Sequence, residues 1–264
     1  MSTMTYAVRD SATMLRRNLR RSIRYPVSTA VGIGIPLVLL LLFVFVFGST
    51  LGTGLGADAG GGRGVYLDYV TPGIVLIAIA GVAQGTAITV AMDLQEGIVN
   101  RFRTMAIARV SVLTGHVVGA VLQTLVAIVV VLGVALLLGF DANASALDWL
   151  LTAGLLTLVS VAITWLSVAL GLVSKSVETA SNLPMPLLLL PFLGSGFVPT
   201  DTMPAGVQWF AEHQPFTPIM ETLRGLLMGT PIGGSGIEAV AWSVAIAAGG
   251  YWWAKRLFNR DPTP

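Results

Sequence analysis

Apolar residues in this chain come in long unbroken runs separated by short polar stretches. That rhythm predicts a stack of membrane-length helices. Runs at residues 26–48, 69–92, 112–140 and 149–173 each reach the roughly 20 residues that cross a bilayer. A fifth run, 183–198, is shorter and holds Pro184, Pro186 and Pro191, then Gly194 and Gly196. Proline removes a helix hydrogen bond, so this run predicts a short, kinked span. Broken backbone at membrane depth needs cover from protein or a wet cavity. A sixth run, 237–258, carries Trp242, Tyr251, Trp252 and Trp253, with Lys255 and Arg256 as an aromatic-basic anchor. The runs are continuous rather than alternating, which points to helices and away from a barrel. The expected fold is an all-α polytopic membrane protein of six transmembrane helices, with residues 1–264 forming one domain.

The polar stretches have characters of their own. In residues 4–25, Val8, Ala12, Leu15, Leu19 and Ile23 form one stripe, and Arg9, Arg16, Arg17, Arg20, Arg21 and Arg24 cover the rest. This reads as an amphipathic helix lying in the membrane interface against lipid. It is too long and too patterned for a signal-peptide n-region, and no small-residue cleavage site follows. Residues 49–68 read as a flexible glycine-rich linker, with Thr71-Pro72-Gly73 marking the start of the second span. Residues 141–148 read as a short acidic turn. Residues 174–182 read as a loop holding Lys175 and Glu178.

Residues 199–236 are too polar to span. They predict two short helices, near 204–212 and from Thr217-Pro218 to Gly229, folded as a re-entrant hairpin. The remaining polar stretch, residues 93–111, reads DLQEGIVNRFRTMAIARVS. Leu94, Ile98, Phe102, Met105 and Val110 recur at helical spacing. Two readings fit it: a surface helix gripped by a partner, and a plain solvated loop with topological charge.

Charge sets the orientation. Of the 15 Lys and Arg, all but Arg63 and Arg224 fall in the segments that share a side with 93–111. The positive-inside rule then places both termini and residues 93–111 in the cytosol, and the hairpin outside. Charged residues are only 11% of the chain, against about a quarter in soluble domains. The sequence pI near 9.2 therefore reflects membrane edges rather than nucleic-acid binding. The excess of arginine over lysine suits a GC-rich bacterium, and the localisation read from these features is the cell membrane.

Candidate chemistry is sparse. The chain has no cysteine and two histidines, His116 and His213, which excludes thiolate chemistry and leaves no histidine-based metal site. No Gly-Lys pair exists, so there is no P-loop. Gly233-Gly234-Ser235-Gly236 matches the GxSG of intramembrane serine proteases, but both histidines precede Ser235, whereas in that family the histidine follows. No acidic or basic residue is expected mid-span, which argues against ion-driven transport and for energy from a partner. Gln84, Thr89 and Gln123 either line a polar path or bond neighbouring helices.

The order of these features resembles the permease subunit of type-2 ABC exporters, in particular the daunorubicin-resistance-like drug exporters. The resemblance rests on the amphipathic first helix, six spans, Glu96-Gly97 followed by Arg101-Phe102-Arg103-Thr104, and the proline-broken fifth span. It also rests on Phe197-Val198-Pro199, Met203-Pro204, Gln208-Trp209-Phe210, Pro215, Thr217-Pro218, Arg224-Gly225 and Gly229. It implies two ABC ATP-binding subunits that carry the ATP and Mg, and a second permease subunit, identical or related. No cofactor is implied on this chain. Glu96, Gly97, Arg101, Phe102 and Arg103 would form the coupling helix, with Arg16, Arg20, Lys175 and Glu178 as further cytoplasmic contacts. Pro199, Pro204, Pro218, Glu221 and Arg224 would belong to the outer gate. Asn100 stands where such permeases often carry an acidic residue. The implied function is ATP-driven export of hydrophobic or amphipathic compounds, drugs or lipids, by a chain that is not itself an enzyme. A non-transporting scaffold or sensor of the same fold, and a hydrolase using Ser235, are the alternatives.

Overall fold

The structure is a computed structural model that describes residues 26–55, 62–97 and 109–259. The expected amphipathic helix at 4–25, with Arg16 and Arg20, lies outside the described residues, as do Arg101, Phe102 and Arg103. Among the described residues every regular element is helical.

The first apolar run forms α1 (Pro26–Leu42), a π-helical turn (Phe43–Phe47) and α2 (Gly48–Gly54) as one continuous rod. Next come α3 (Gly62–Gln95), α4 (Arg109–Leu137) and α5 (Ala146–Val173). Four rods, Gly32–Gly54, Gly62–Gln95, Leu113–Leu137 and Ala146–Val173, are long and apolar enough to cross a membrane. The chain is a multi-pass membrane protein.

α3 is the hub. In its most apolar stretch 72% is buried, against 22% in the first rod, so α3 runs through the middle and the first rod along the edge. It packs against α1, α2, α4 and α5. Its near-continuous apolar surface, Ile74 to Ala80 buried on every side, is what a helix surrounded by other helices needs.

Two expectations fail here. Residues 49–54 and 62–68 are helical rather than a linker, and Gly52 and Gly62 serve close packing. A Cβ on Gly52 would overlap the backbone of Gly62, so the two rods meet backbone to backbone. Likewise Thr71-Pro72-Gly73 lies inside α3 rather than at its start. Pro72 has no N–H to give the carbonyl one turn back, a cost the buried interior of a membrane protein absorbs.

The fifth run is more broken than a kinked helix. After α6 (Val177–Asn182) come α7 (Met185–Leu189), a 3-10 turn (Leu190–Leu193) and irregular backbone through Gly196. This strip lies along α3 and is tied to it at intervals. Gln84 Nε2 donates to the Ser181 carbonyl at 2.7 Å. Gly73 meets Gly196 so closely that a Cβ would sit 2.9 Å from the Gly196 oxygen. Tyr66 Oη donates to the Phe197 carbonyl at 3.2 Å. From Gln84 to Tyr66, α3 measures about 27 Å at 1.5 Å per residue.

A 3-10 turn (Thr200–Thr202), α8 (Ala205–His213) and α9 (Phe216–Met228) follow, and α10 (Ser235–Phe258) packs along α5. α9 begins at Phe216 with Pro215 at its cap, two residues earlier than Thr217 capping would give. Pro218 still falls in the first turn, where its missing N–H costs nothing. Gly229 ends α9 at φ 67, as expected of a left-handed cap.

Candidate functional site

The helices present two ends. One carries α8 and α9; the other carries the end of α3, the start of α4 and the α5–α6 turn. The predicted site residues divide between them.

At the first end, α9 is the organiser. Its Arg224 is half-buried, and Nη2 donates to the carbonyls of Ser195 at 2.7 Å and Tyr69 at 3.2 Å. The guanidinium lies 3.9 Å from the centroid of the Tyr69 ring. One cation thus joins α9, α3 and the irregular strip, matching the preference of guanidinium for carbonyl oxygens and aromatic faces. One turn earlier, Glu221 accepts a hydrogen bond from Ser235 Oγ at 2.7 Å, linking α9 to the start of α10. Pro218 is buried on the same helix; Pro199 and Pro204 stand apart, ahead of the 3-10 turn and at the exposed cap of α8.

Ser235 faces a carboxylate, and neither imidazole is its partner. His213 Nδ1 lies 2.7 Å from the Trp209 carbonyl, and His116 sits at the other end of the helices. The geometry holds a polar tie, not a nucleophile and its base.

Sequence reasoning missed Gln214, which is 3% exposed at the α8–α9 corner. Its Nε2 donates to Thr217 Oγ1 at 3.1 Å and to the Leu190 carbonyl at 3.3 Å, while Oε1 accepts from the Phe216 N–H at 3.2 Å. A buried amide this fully engaged fixes the corner and pins the strip beside it. The His213-Gln214-Pro215 break was its only sequence signal. Beside it an open cleft of about 550 Å³ is lined by Glu212, His213, Glu238 and Trp242 over Ala241 and Ala245.

At the other end, α3 stops at Gln95 and the chain turns through Glu96 and Gly97. Gly97 has φ 68 with open space around its α-carbon. It serves as a left-handed exit from α3. Glu96 is exposed and follows α3's final turn. Gln95 Nε2 reaches the Lys175 carbonyl at 3.5 Å, bringing the turn beside the predicted Lys175–Glu178 contact. Lys175 and Glu178 are both exposed, and Ser176 caps α6 by accepting from the Thr179 N–H at 3.1 Å.

Of the residues read as a polar path or as bonds between helices, two have hydrogen bonds. Gln84 ties the strip to α3, and Thr89 Oγ1 donates within its own helix to the Gly85 carbonyl. Gln123 is half-buried on α4. A buried pair also appears at the ends of α3 and α4. Asp93 Oδ2 lies 3.2 Å from His116 Nε2, and the side chains are 3% and 8% exposed. Asp93 belongs to the last turn of α3, not to a solvated segment. Its place on the buried stripe Thr86, Val90, Asp93 was the available clue.

Family comparison decides the class: residues 10–228 match the ABC-2 type transporter family. The chain belongs to that family. Among curated ABC-2 relatives, it is 29% identical over 185 residues to the daunorubicin resistance ABC transporter permease protein DrrB1 of Streptomyces coeruleorubidus, covering 70% of this chain and 64% of that one. It is 26% identical over 173 residues to the probable doxorubicin resistance ABC transporter permease protein DrrC of Mycobacterium tuberculosis, covering 62% and 63%. The chain thus matches less than two thirds of either relative's length.

Proposed function

We propose that this chain is the membrane permease subunit of an ATP-driven exporter of hydrophobic or amphipathic compounds, of the drug or lipid kind. In this reading the chain hydrolyses nothing. Two ABC ATP-binding subunits supply ATP and Mg chemistry, and a second permease subunit completes the pathway. The part of residues 93–111 that lies between α3 and α4, 96–108, forms the coupling segment on the cytosolic side, with Arg16, Arg20, Lys175 and Glu178 as further contacts. Both termini are cytosolic.

The strip between Ser181 and Phe197 is the fifth crossing and α10 the sixth. The α3 length that the strip follows, about 27 Å, approaches the roughly 30 Å of a hydrocarbon core. The α8–α9 hairpin caps the outer exit.

The observation that carries the reading is the family match from residue 10 to residue 228, which takes in the hub helix, the Glu96-Gly97 turn and the hairpin together. Relatives named for daunorubicin and doxorubicin resistance support the substrate class. So does the cleft beside α8, where carboxylates and a tryptophan face suit an amphipathic cation.

The test is co-purification with the ABC ATP-binding subunit encoded beside this chain, for wild type and for Glu96→Ala/Arg101→Ala, with the ATP hydrolysis rate recorded. A stable wild-type complex that the double variant weakens or uncouples is the expected result. A wild type that captures no ATP-binding subunit overturns the transporter reading. A variant that binds and stimulates as well as wild type reduces residues 93–111 to a charged loop.

A further inference from the structure

We propose that Asp93 and His116 form a clamp that makes α3 and α4 move as one body when residues 98–108 between them are displaced. The inference deepens the coupling reading above and rests on it. Asp93 and His116 would be positioning residues that act through the two helices rather than on substrate or nucleotide.

Their placement carries the idea. The pair sits at the two roots of the connecting segment: Asp93 in the last turn of α3 and His116 near the start of α4. Both side chains are more than nine-tenths buried, so water competes little for their contact, and a polar contact in such a place is strong and directional. Around it lies a small apolar cluster, in which Val90 of α3 meets Leu113 and Val117 of α4, with Trp165 and Val168 of α5. The main core, rich in large side chains, lies toward the hairpin. Among the described residues the pair joins the ends of α3 and α4 directly, and a buried polar tie there fixes their register.

A clamped pair also has somewhere to send its motion. α3 holds the strip through Gln84 and Tyr66, and its Tyr69 carbonyl receives Arg224 of the hairpin. A push on the Glu96 turn that moves α3 and α4 together reaches the hairpin through these contacts. A push that splays them is absorbed locally.

The experiment uses the full chain assembled with its ATP-binding subunits in lipid vesicles. Because the chain lacks cysteine, Gly85→Cys on α3 and Leu122→Cys on α4, both exposed, accept spin labels as its only thiols. Electron paramagnetic resonance reads their separation without nucleotide and after vanadate trapping with ATP. With the pair intact, the separation is expected to stay the same in both states. In Asp93→Asn or His116→Leu it is expected to spread on trapping, while permease-stimulated ATP hydrolysis falls about two- to thirtyfold in a complex that still assembles. The exchange variant Asp93→His/His116→Asp should restore both readouts, which a merely space-filling role would not do.

A wild-type separation that changes on trapping overturns the clamp, and so do variants indistinguishable from wild type. If the single variants fail to fold, the wild-type arm alone decides. Failure of wild type to capture the ATP-binding subunits is a different result, and it removes the coupling reading and the clamp together.

Discussion

The hairpin end and the Gln95 end are built from the same helices but held together differently. Around Arg224, Gln214 and Tyr66, side chains donate to backbone carbonyls of irregular structure, and the largest apolar cluster lies beneath them. Around Gln95 the described residues show the Asp93–His116 pair, the long reach of Gln95 to Lys175, and a smaller apolar cluster. Irregular backbone explains the first pattern. Every carbonyl freed from a helix needs a donor when water is absent, and long polar side chains provide it. The second end is made of regular helix termini beside exposed polar residues, so it needs fewer such ties. Among the described residues the contrast makes the hairpin end the fixed half and the Gln95 end the compliant half, and in the proposed function the latter is the one a partner displaces.

Four substitutions test that contrast, in descending order of effect. Arg224→Leu removes two charge-assisted hydrogen bonds and the contact with Tyr69, and should cost about 3 kcal/mol. The thermal midpoint of the purified permease should fall accordingly. Gly73→Val drives a side chain into the Gly196 backbone and should cost about 2 kcal/mol of overpacking. Its signature is earlier proteolytic cleavage in residues 190–200. Gln84→Leu loses one hydrogen bond to Ser181, for about 1 kcal/mol. Hydrogen exchange of α6 should rise while the hairpin stays protected. Gly97→Ala strains a left-handed residue in open space and should cost about 1 kcal/mol or less, with the thermal midpoint nearly unchanged. A midpoint lowered more by Gly97→Ala than by Arg224→Leu would reverse the assignment of fixed and compliant halves.

Much of the fold was legible because helix periodicity and length survive in any apolar run. The fourth run, read at 149–173, is Ala146–Val173, and the stop at Gly229 is where a left-handed cap demands glycine. The three-residue shortfall at 146 came from reading Asp148 as part of a turn. It is instead the partner of Ser145 in a capping box, with Ser145 Oγ accepting from the Asp148 N–H. Residues 49–54 and 62–68 were misread because glycine marks loops by composition, whereas Gly52 and Gly62 permit two helices to touch.

The site was legible in outline only. Arg224 and Glu221 were named for the outer gate through the family resemblance, and the structure gives both definite partners. Gln214 and Asp93 did not stand out, because what makes them matter is contact with residues far away in sequence. Leu190 is 24 positions from Gln214, and no local pattern encodes that meeting. Asp93 was grouped by its charge with the polar stretch after it, when its helical phase belonged with the buried residues before it.

The broken strip along α3 bears on how the chain is made. A ribosome feeding a translocon delivers segments in order, and a segment enters lipid alone only if its own backbone is satisfied. The strip from Ser181 to Phe197 fails that condition, since its carbonyls at 181, 195 and 197 depend on Gln84, Arg224 and Tyr66. Arg224 follows Phe197 by 27 residues, so it is made after the strip it holds. In the topology proposed above, the fifth crossing is therefore a late event of biogenesis, completed only once the hairpin has emerged to hold it.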